Sequence, residues 1–277
     1  MSMSRGRIAA LAATAMLVVG ACSSGAATSA PSTAATAAPT TAASESAAAG
    51  GEPVTITWYH IQNNDPGLSL WKKLADEYTA ANPNVTIDIQ VNENEAFKTK
   101  LTTLLQQGDV PDLFQTWGGG GLRQQVEAGL VKDITADIAP WKDEINAGAL
   151  SMYSVDGGAG DAFVGLGGGN GFAVGNDAPP ETVDFLHFLV SLDAANRWGA
   201  LNSGILPTTN GSEASTTDPM LSLVLEGRAK AKFVQLYLDQ ATSPELGGAI
   251  NEAVATLYAG TGTPESVVEA IQAAAKQ

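Results

Sequence analysis

The sequence predicts an α/β fold with a parallel-rich sheet, followed by helices towards the carboxyl end. Strand and helix patterns alternate between residues 54 and 116, glycine-rich segments come next, and helical patterns with clear start signals close the chain. Of the 277 residues, 44% are apolar and 16% are charged, a composition typical of a globular protein.

The first half of the folded part follows the order strand, helix, strand, helix, strand. The strands are predicted at 54–61, 85–91 and 112–116, from β-branched, aromatic and alternating apolar residues. Apolar side chains at helical spacing indicate the helices: Trp71, Leu74, Ala75 and Tyr78, then Phe97, Leu101, Leu104 and Leu105. This order predicts a parallel sheet with helical crossovers.

The second half has a different pattern. Segment 170–175 (NGFAVG) is consistent with a lone strand among glycines, and 180–193 is apolar on more than one face, which predicts a helix buried on both sides. Within it, His187 is interpreted as a packed core histidine rather than a base. Further helices are predicted near 218–240, 244–259 and 264–276, the last two because a cap residue precedes a proline in the first turn.

The N-terminus predicts export. Arg5 and Arg7 precede fourteen apolar or small residues, 8–21, which are too few to span a bilayer and typical of a secretory signal peptide. The ending Val19-Gly20-Ala21-Cys22 resembles the bacterial lipobox, so we predict a signal over 1–21 and lipid attachment at Cys22. The alternative is an ordinary signal with an incidental cysteine. Residues 22–52 are almost free of large apolar side chains and are predicted to be a disordered tether.

Composition and missing motifs exclude several functions. The 14 basic and 29 acidic residues give a net charge of −15, which argues against nucleic acid as a partner. One cysteine and two histidines leave no recognisable metal site. The chain has no Walker A loop, dinucleotide fingerprint, G-x-S-x-G elbow or H-E-x-x-H motif, and no carboxylate pair stands out as an acid and a base. We therefore predict a protein that is not an enzyme and has no cofactor.

A ligand crevice is expected outside the carboxyl ends of the parallel strands. The residues that follow the three predicted strands include His60, Asn64 and Asp65, then Glu95, then Trp117 with a glycine run at 118–121. Neutral and acidic hydrogen-bonding groups around an indole suit a neutral ligand rich in hydroxyl groups, and glycines let a ligand approach the backbone. For Trp117, a place in the core is an equal alternative on periodicity alone.

Five segments carry a family resemblance. They are GDVPDLFQTWGGGGL (108–122), AGLVKDIT (128–135), GGGNGFAVGNDAPPETVDFLHFL (167–189), GILPTTNG (204–211) and FVQLYLDQATSPELGGAINEAVATLYAGTGTPESVVEAI (233–271). In this order they resemble the extracellular solute-binding lipoproteins of ABC importers, family 1, which capture sugars. The resemblance implies a periplasmic-binding-protein-like (type II) fold with a carbohydrate between two α/β lobes, and ABC importer permease subunits as partners. It favours Trp117 as a sugar-stacking residue, and we add Gly118 and Asn170 to the candidates for the binding site.

The chain also departs from this family. Members continue after a Val-Asp-Gly such as 155–157 with Lys-x-Tyr-Gly-x-Pro and a long stretch that builds most of the second lobe, whereas here 158–161 reads Gly-Ala-Gly-Asp. We therefore expect a first lobe over 53–160, and over 161–277 a crossing strand and the C-terminal helices of an incomplete second lobe. The predicted function is a lipoprotein on the outer face of the bacterial cell membrane that binds sugars or oligosaccharides for an importer, impaired by an internal deletion. The alternatives are a lipid-anchored remnant that binds nothing and, less favoured, an exported glycosidase-type enzyme.

Overall fold

The alternating pattern of the first half folds as predicted, to within a residue or so at the ends of the strands. The computed structural model describes residues 51–153, 164–231 and 233–276. The predicted signal segment, Cys22, nearly all of the tether, and the junction at 158–161 lie outside these residues.

The described elements have the following bounds. The strands are β1 (Val54–His60), β2 (Val85–Val91), β3 (Leu113–Thr116), β4 (Val164–Gly167), β5 (Gly171–Val174) and β6 (Phe233–Leu236). The helices are α1 (Gly67–Ala81), α2 (Asn94–Gln107), α3 (Gly119–Glu127), α4 (Thr135–Ile138), α5 (Ala147–Ser151), α6 (Glu181–Leu189), α7 (Leu192–Ala200), α8 (Pro219–Lys230), α9 (Leu238–Ala241), α10 (Pro244–Tyr258) and α11 (Pro264–Ala274). Short 3-10 turns occupy Lys142–Glu144 and Glu213–Ser215.

Four strands form the main sheet, in the order β2-β1-β3-β5. β1 runs parallel to both β2 and β3, and its pairing with β2 extends from Val54 beside Val85 to His60 beside Val91. The predicted parallel-rich sheet is therefore confirmed. The strand within 170–175 is not alone, because β5 joins the edge of this sheet antiparallel to β3.

Alternation along the strands places a core on each face of the sheet. Ile56 and Trp58 of β1 point to one face, where they pack with residues of α1 and α6. Tyr59 of β1 and Phe114 of β3 belong to a second cluster, which includes Phe97 of α2. These packed faces hold the carboxyl ends of β1, β2 and β3 at one edge of the sheet.

The prediction of one helix over 180–193 is wrong in length, and the prediction that the helix is buried on both sides is only partly correct. It ends at Leu189, and the Ser191 hydroxyl accepts a hydrogen bond from the Ala194 N–H, which starts α7. His187 is not a core histidine. Its side chain is 41% exposed, lies 3.3 Å from Glu144, and stacks on Trp141 with 4.5 Å between ring centroids.

The continuous helix predicted near 218–240 is also wrong. α8 ends at Lys230, and 233–236 forms β6, which pairs in parallel with β4 in a separate two-stranded sheet. The two C-terminal helices are confirmed, and their predicted caps are present: the Ser243 side chain accepts from the Leu246 N–H, and Thr263 forms a capping box with Ser266.

Candidate functional site

The carboxyl edge of the main sheet gathers the loops that follow β1, β2 and β3. Because β5 is antiparallel to β3, its first residue, Gly171, lies opposite Thr116 and brings Asn170 to the same edge. The structure therefore adds the start of β5 to the three loops predicted from the sequence.

Trp117 follows β3 directly and is half-buried at this edge. Its ring packs edge-to-face against Phe97, with 5.8 Å between the ring centroids, and it borders the second core cluster. Lys98 Nζ lies 5.5 Å from the centroid of the indole, within the range of a cation–π contact. Trp117 thus has one part in the core and another part that solvent reaches.

Polar side chains at the start of α2 are linked to this indole through Lys98. Glu95 forms an exposed ion pair with Lys98, with 2.9 Å between Oε1 and Nζ, and accepts a hydrogen bond from Asn94. Nearby, the Tyr59 hydroxyl donates to Asn92 Oδ1 at 2.7 Å. Exposed ion pairs contribute little to stability, so Glu95 and Lys98 can exchange their bond for one to a ligand. Sequence reasoning missed Lys98, although its spacing of three residues from Glu95 on a helix was a usable signal.

Asn64 and Asp65 are exposed and engaged with their own loop. Asn64 Nδ2 donates to Asn63 Oδ1 at 2.8 Å. The Asp65 carboxylate accepts hydrogen bonds from the backbone N–H and the hydroxyl of Ser69, at 3.0 and 2.5 Å. These contacts fix the loop at the start of α1.

His60 lies inside the core, with 0% of its surface exposed. Its ring is 4.7 Å from that of Trp58, and its Nδ1 accepts a hydrogen bond from the Gln62 N–H at 3.2 Å. Burial lowers the pKa of His60 from 6.5 to about 4, so the imidazole is neutral at pH 7. In this conformation the His60 side chain packs in the core beneath the edge of the sheet. A direct contact between His60 and a ligand stays a prediction.

The glycine run at 118–121 forms the start of α3 rather than an open loop. Gly118 and Gly119 have φ of 72° and 56°, the left-handed region that glycine tolerates best. A Cβ at Gly119 would lie 2.2 Å from Gln240 O, and one at Gly120 would lie 1.9 Å from Thr242 O. Segment 240–242 of the same chain therefore packs against the backbone of Gly119 and Gly120, where a ligand was expected to approach.

Asn170 is exposed and belongs to a pair of amides. Its Oδ1 accepts a hydrogen bond from Gln115 Nε2 at 2.9 Å, and Gln115 on β3 is only 5% exposed. Gln115 was not a candidate from the sequence, because a glutamine within a strand pattern has no signal of its own.

Two cavities of about 200 and 210 Å³ lie elsewhere. Lys132, Asp137, Trp141, Pro180, Val183 and Asp184 line the smaller one, and the larger lies against β1, β2 and α2. None of the candidate residues lines either cavity. Within residues 51–153, 164–231 and 233–276, no three His, Cys, Asp or Glu side chains could hold a metal ion. The same residues contain no helix of the length and apolarity that a membrane crossing requires.

Comparison with known proteins identifies a family whose sequence pattern part of this chain matches. Residues 63–157, about a third of the chain, match the model of the bacterial extracellular solute-binding protein family. Among curated proteins, none matches the sequence.

Solved structures show the same fold at low identity. A protein studied for xylan utilization by the thermophilic bacterium Caldanaerobius polysaccharolyticus is 15% identical, with a TM-score of 0.66 over 79% of this chain and 99% of that one. An ABC substrate-binding protein of Listeria monocytogenes in complex with cycloalternan is 14% identical, with a TM-score of 0.63 over 81% and 99%. A chitin oligosaccharide binding protein is 13% identical, with a TM-score of 0.67 over 82% and 99%.

The fold is therefore periplasmic-binding-protein-like, as the sequence resemblance implied. The resemblance to the bacterial extracellular solute-binding proteins is confirmed, and the match to the family model covers residues 63–157.

Proposed function

We propose that this protein is the substrate-binding component of an ABC importer for sugars or oligosaccharides. The observation that carries the proposal is the half-buried Trp117 beside the exposed Glu95–Lys98 pair, at the carboxyl edge of the sheet. An indole face packs on the apolar face of a pyranose, while a carboxylate and an ammonium group pair with its hydroxyls. Structures of the same fold hold cycloalternan and mannotriose, which supports a carbohydrate as the ligand.

A binding role fits this edge better than catalysis. Glu95 forms an ion pair with Lys98, and the Asp65 carboxylate accepts a hydrogen bond from the Ser69 hydroxyl. A glycosidase needs one carboxyl group that is kept protonated opposite a second that is ionised. Glu95 and Asp65 do not form such a pair, because each is bonded to another side chain of its own segment. We therefore propose a receptor rather than an enzyme.

The second lobe is proposed to be incomplete. The family match ends at residue 157, next to the junction where the sequence departs from the family pattern. Beyond the main sheet, the described residues contain one further sheet, of the two strands β4 and β6. A pocket usually buries most of its ligand, so a shortened lobe should weaken binding. The alternative function is accordingly a remnant of such a receptor that is anchored but binds no sugar.

Replacing Trp117 with alanine tests the binding role. The rise in melting temperature that a bound sugar gives the wild-type protein should disappear in Trp117→Ala, because the stacking face is lost, while far-ultraviolet circular dichroism stays nearly unchanged. Trp141→Ala is the matched control, since Trp141 is also half-buried but lines a cavity that none of the candidate residues lines. Loss of the folded spectrum in Trp117→Ala would instead identify Trp117 as a core residue. A wild-type protein that responds to no sugar would favour the remnant.

We also propose that the protein is exported and anchored to the outer face of the membrane through lipid on Cys22. The ending Val19-Gly20-Ala21-Cys22 before a polar tether supports this proposal. A buried acyl chain contributes about 0.8 kcal/mol per methylene, and stable anchoring takes more than one chain. Cys22→Ser should therefore move the protein from the membrane fraction to the soluble fraction. Equal membrane fractionation of the variant and the wild type would contradict lipid attachment.

A further inference from the structure

The Tyr153 hydroxyl is buried and has no hydrogen-bond partner among the described residues. An unpaired polar group in the interior is unfavourable, and most buried hydroxyls in proteins have a partner. Burial raises the pKa of Tyr153, so its O–H stays protonated and available as a donor at any ordinary pH. The Tyr153 hydroxyl has no part in the sugar-binding role proposed for Trp117, Glu95 and Lys98.

Tyr153 lies against the glycine segment that leads into β5. A Cβ added at Gly171 would be 2.5 Å from Tyr153 Cζ, and one added at Gly169 would be 2.9 Å from the Tyr153 hydroxyl oxygen. Glycine at both positions thus allows the ring to lie directly on the backbone. Asn170, between the two glycines, is held by Gln115 at 2.9 Å and is open to solvent.

Tyr153 and the glycine segment before β5 also lie beside the carboxyl end of β3, where Trp117 and Gly118 are located. Gly171 pairs with Thr116, the residue before Trp117. The backbone carbonyl of Met152, the residue before Tyr153, would be 2.3 Å from a Cβ on Gly118. Tyr153, Asn170 and Trp117 therefore come from three separate segments and meet at one edge.

We propose that Tyr153 and Asn170 form a polar subsite beside Trp117, in which the Tyr153 hydroxyl and the Asn170 amide bind hydroxyl groups of a sugar. This inference rests on the proposed function, and it specifies which residues select the ligand. A site whose buried donor lacks a protein partner discriminates strongly for a ligand that supplies the acceptor. The indole gives contact area, and the subsite gives the hydrogen bonds that distinguish one sugar from another.

Residues 236–240, which include the end of β6 and most of α9, cover this subsite. Leu236 Cδ2 would be 3.4 Å from a Cβ on Gly169, and the Tyr237 ring 3.0 Å from one on Gly168. Gln240 Oε1 accepts a hydrogen bond from the Gly169 N–H at 3.4 Å, a long and weak contact. Ligand entry requires this cover to move, which breaks the long hydrogen bond between the Gly169 N–H and Gln240 Oε1.

The test is Tyr153→Phe in the full chain, purified in detergent and titrated calorimetrically with maltose, mannotriose and a chitin oligosaccharide. For whichever sugar the wild type binds, affinity should fall about tenfold, as expected for the loss of one hydrogen bond. The melting temperature without sugar should stay equal or rise, because an unpaired hydroxyl has left the interior. Tyr258→Phe makes the same chemical change at a side chain that is 89% exposed, and it should alter neither quantity.

Asn170→Ala tests the subsite at a second side chain, which is exposed and whose loss also removes the hydrogen bond to Gln115 Nε2, so the circular dichroism of the variant is compared with that of the wild type. It should also weaken binding about tenfold. If Trp117→Ala abolishes binding while Tyr153→Phe and Asn170→Ala bind like the wild type, the subsite is refuted and the proposed function stands. If the wild type binds none of the three sugars, both the subsite and the sugar-receptor function are refuted for this class of ligand.

Discussion

Gly120→Ala should lower the free energy of unfolding by about 3 kcal/mol, the upper part of the usual range for overpacking. The new Cβ would lie 1.9 Å from the carbonyl oxygen of Thr242 and 2.8 Å from the nitrogen of Ser243. Both are backbone atoms, so no side-chain rotation relieves the clash, and the segment that leads into α10 has to move. Urea denaturation of the full chain measures the effect.

Gly121→Ala is the matched control for this prediction. A Cβ there meets only Pro244 Cγ, at 4.0 Å, and Gly121 lies within α3, where alanine is the better helix former. We expect a gain of about 0.5–1 kcal/mol in the free energy of unfolding. Similar values for the two variants would show that segment 240–244 does not lie on the glycine run in solution.

Acid should destabilise this protein well above the range in which carboxylates titrate, because His60 is buried as the neutral imidazole. Its pKa is 6.5 when unfolded and about 4 in the core. As pH falls below 6.5 the unfolded chain binds a proton that the folded chain refuses, so the free energy of unfolding decreases. The full loss is about 3 kcal/mol, at about 1.4 kcal/mol per pKa unit, and about 2 kcal/mol of it should be lost between pH 7 and pH 5.

Two variants isolate this effect. His60→Asn keeps an acceptor for the Gln62 N–H, and His60→Phe keeps a ring beside Trp58, but neither binds a proton in this range. Both should show a smaller decrease in the free energy of unfolding between pH 7 and pH 5 than the wild type. Asp133 and Glu245 have lowered pKa values because of hydrogen bonds, so their contributions are lost at lower pH. A wild-type protein equally stable at pH 7 and pH 5 would mean that His60 is accessible to water, as a ligand contact would need.

Both predictions bear on the proposed crevice. The glycine run is covered by segment 240–242, and His60 supports the sheet edge from inside the core. Among the candidate residues of this edge, Asn64, Asp65, Glu95 and Asn170 are exposed and Trp117 is half-buried. In the proposed function, the sugar would be bound by these side chains and not by the backbone of the glycine run.

Local sequence signals were sufficient for most of the first half and for the C-terminal helices. β2 was predicted from alternation alone with the bounds that the structure has, Val85–Val91. Gly108 ends α2 in the left-handed conformation, and Ser243 caps α10, as their residue types predict. Periodicity, capping and glycine conformations act over a few residues, so they can be read from a single segment of sequence.

Contacts between distant segments controlled what the sequence did not reveal. Phe233–Leu236 has helix-like neighbours, yet it is a strand because it pairs with β4 about seventy residues away. The burial of His60, the exposure of His187 and the cover over the glycine run likewise depend on which segments come to lie beside them. The pairing of Asn170 with Gln115 and the unpaired hydroxyl of Tyr153 arise because β5 returns to the first sheet. Burial and hydrogen bonding are properties of the assembled chain, because each depends on neighbours that the local sequence does not specify.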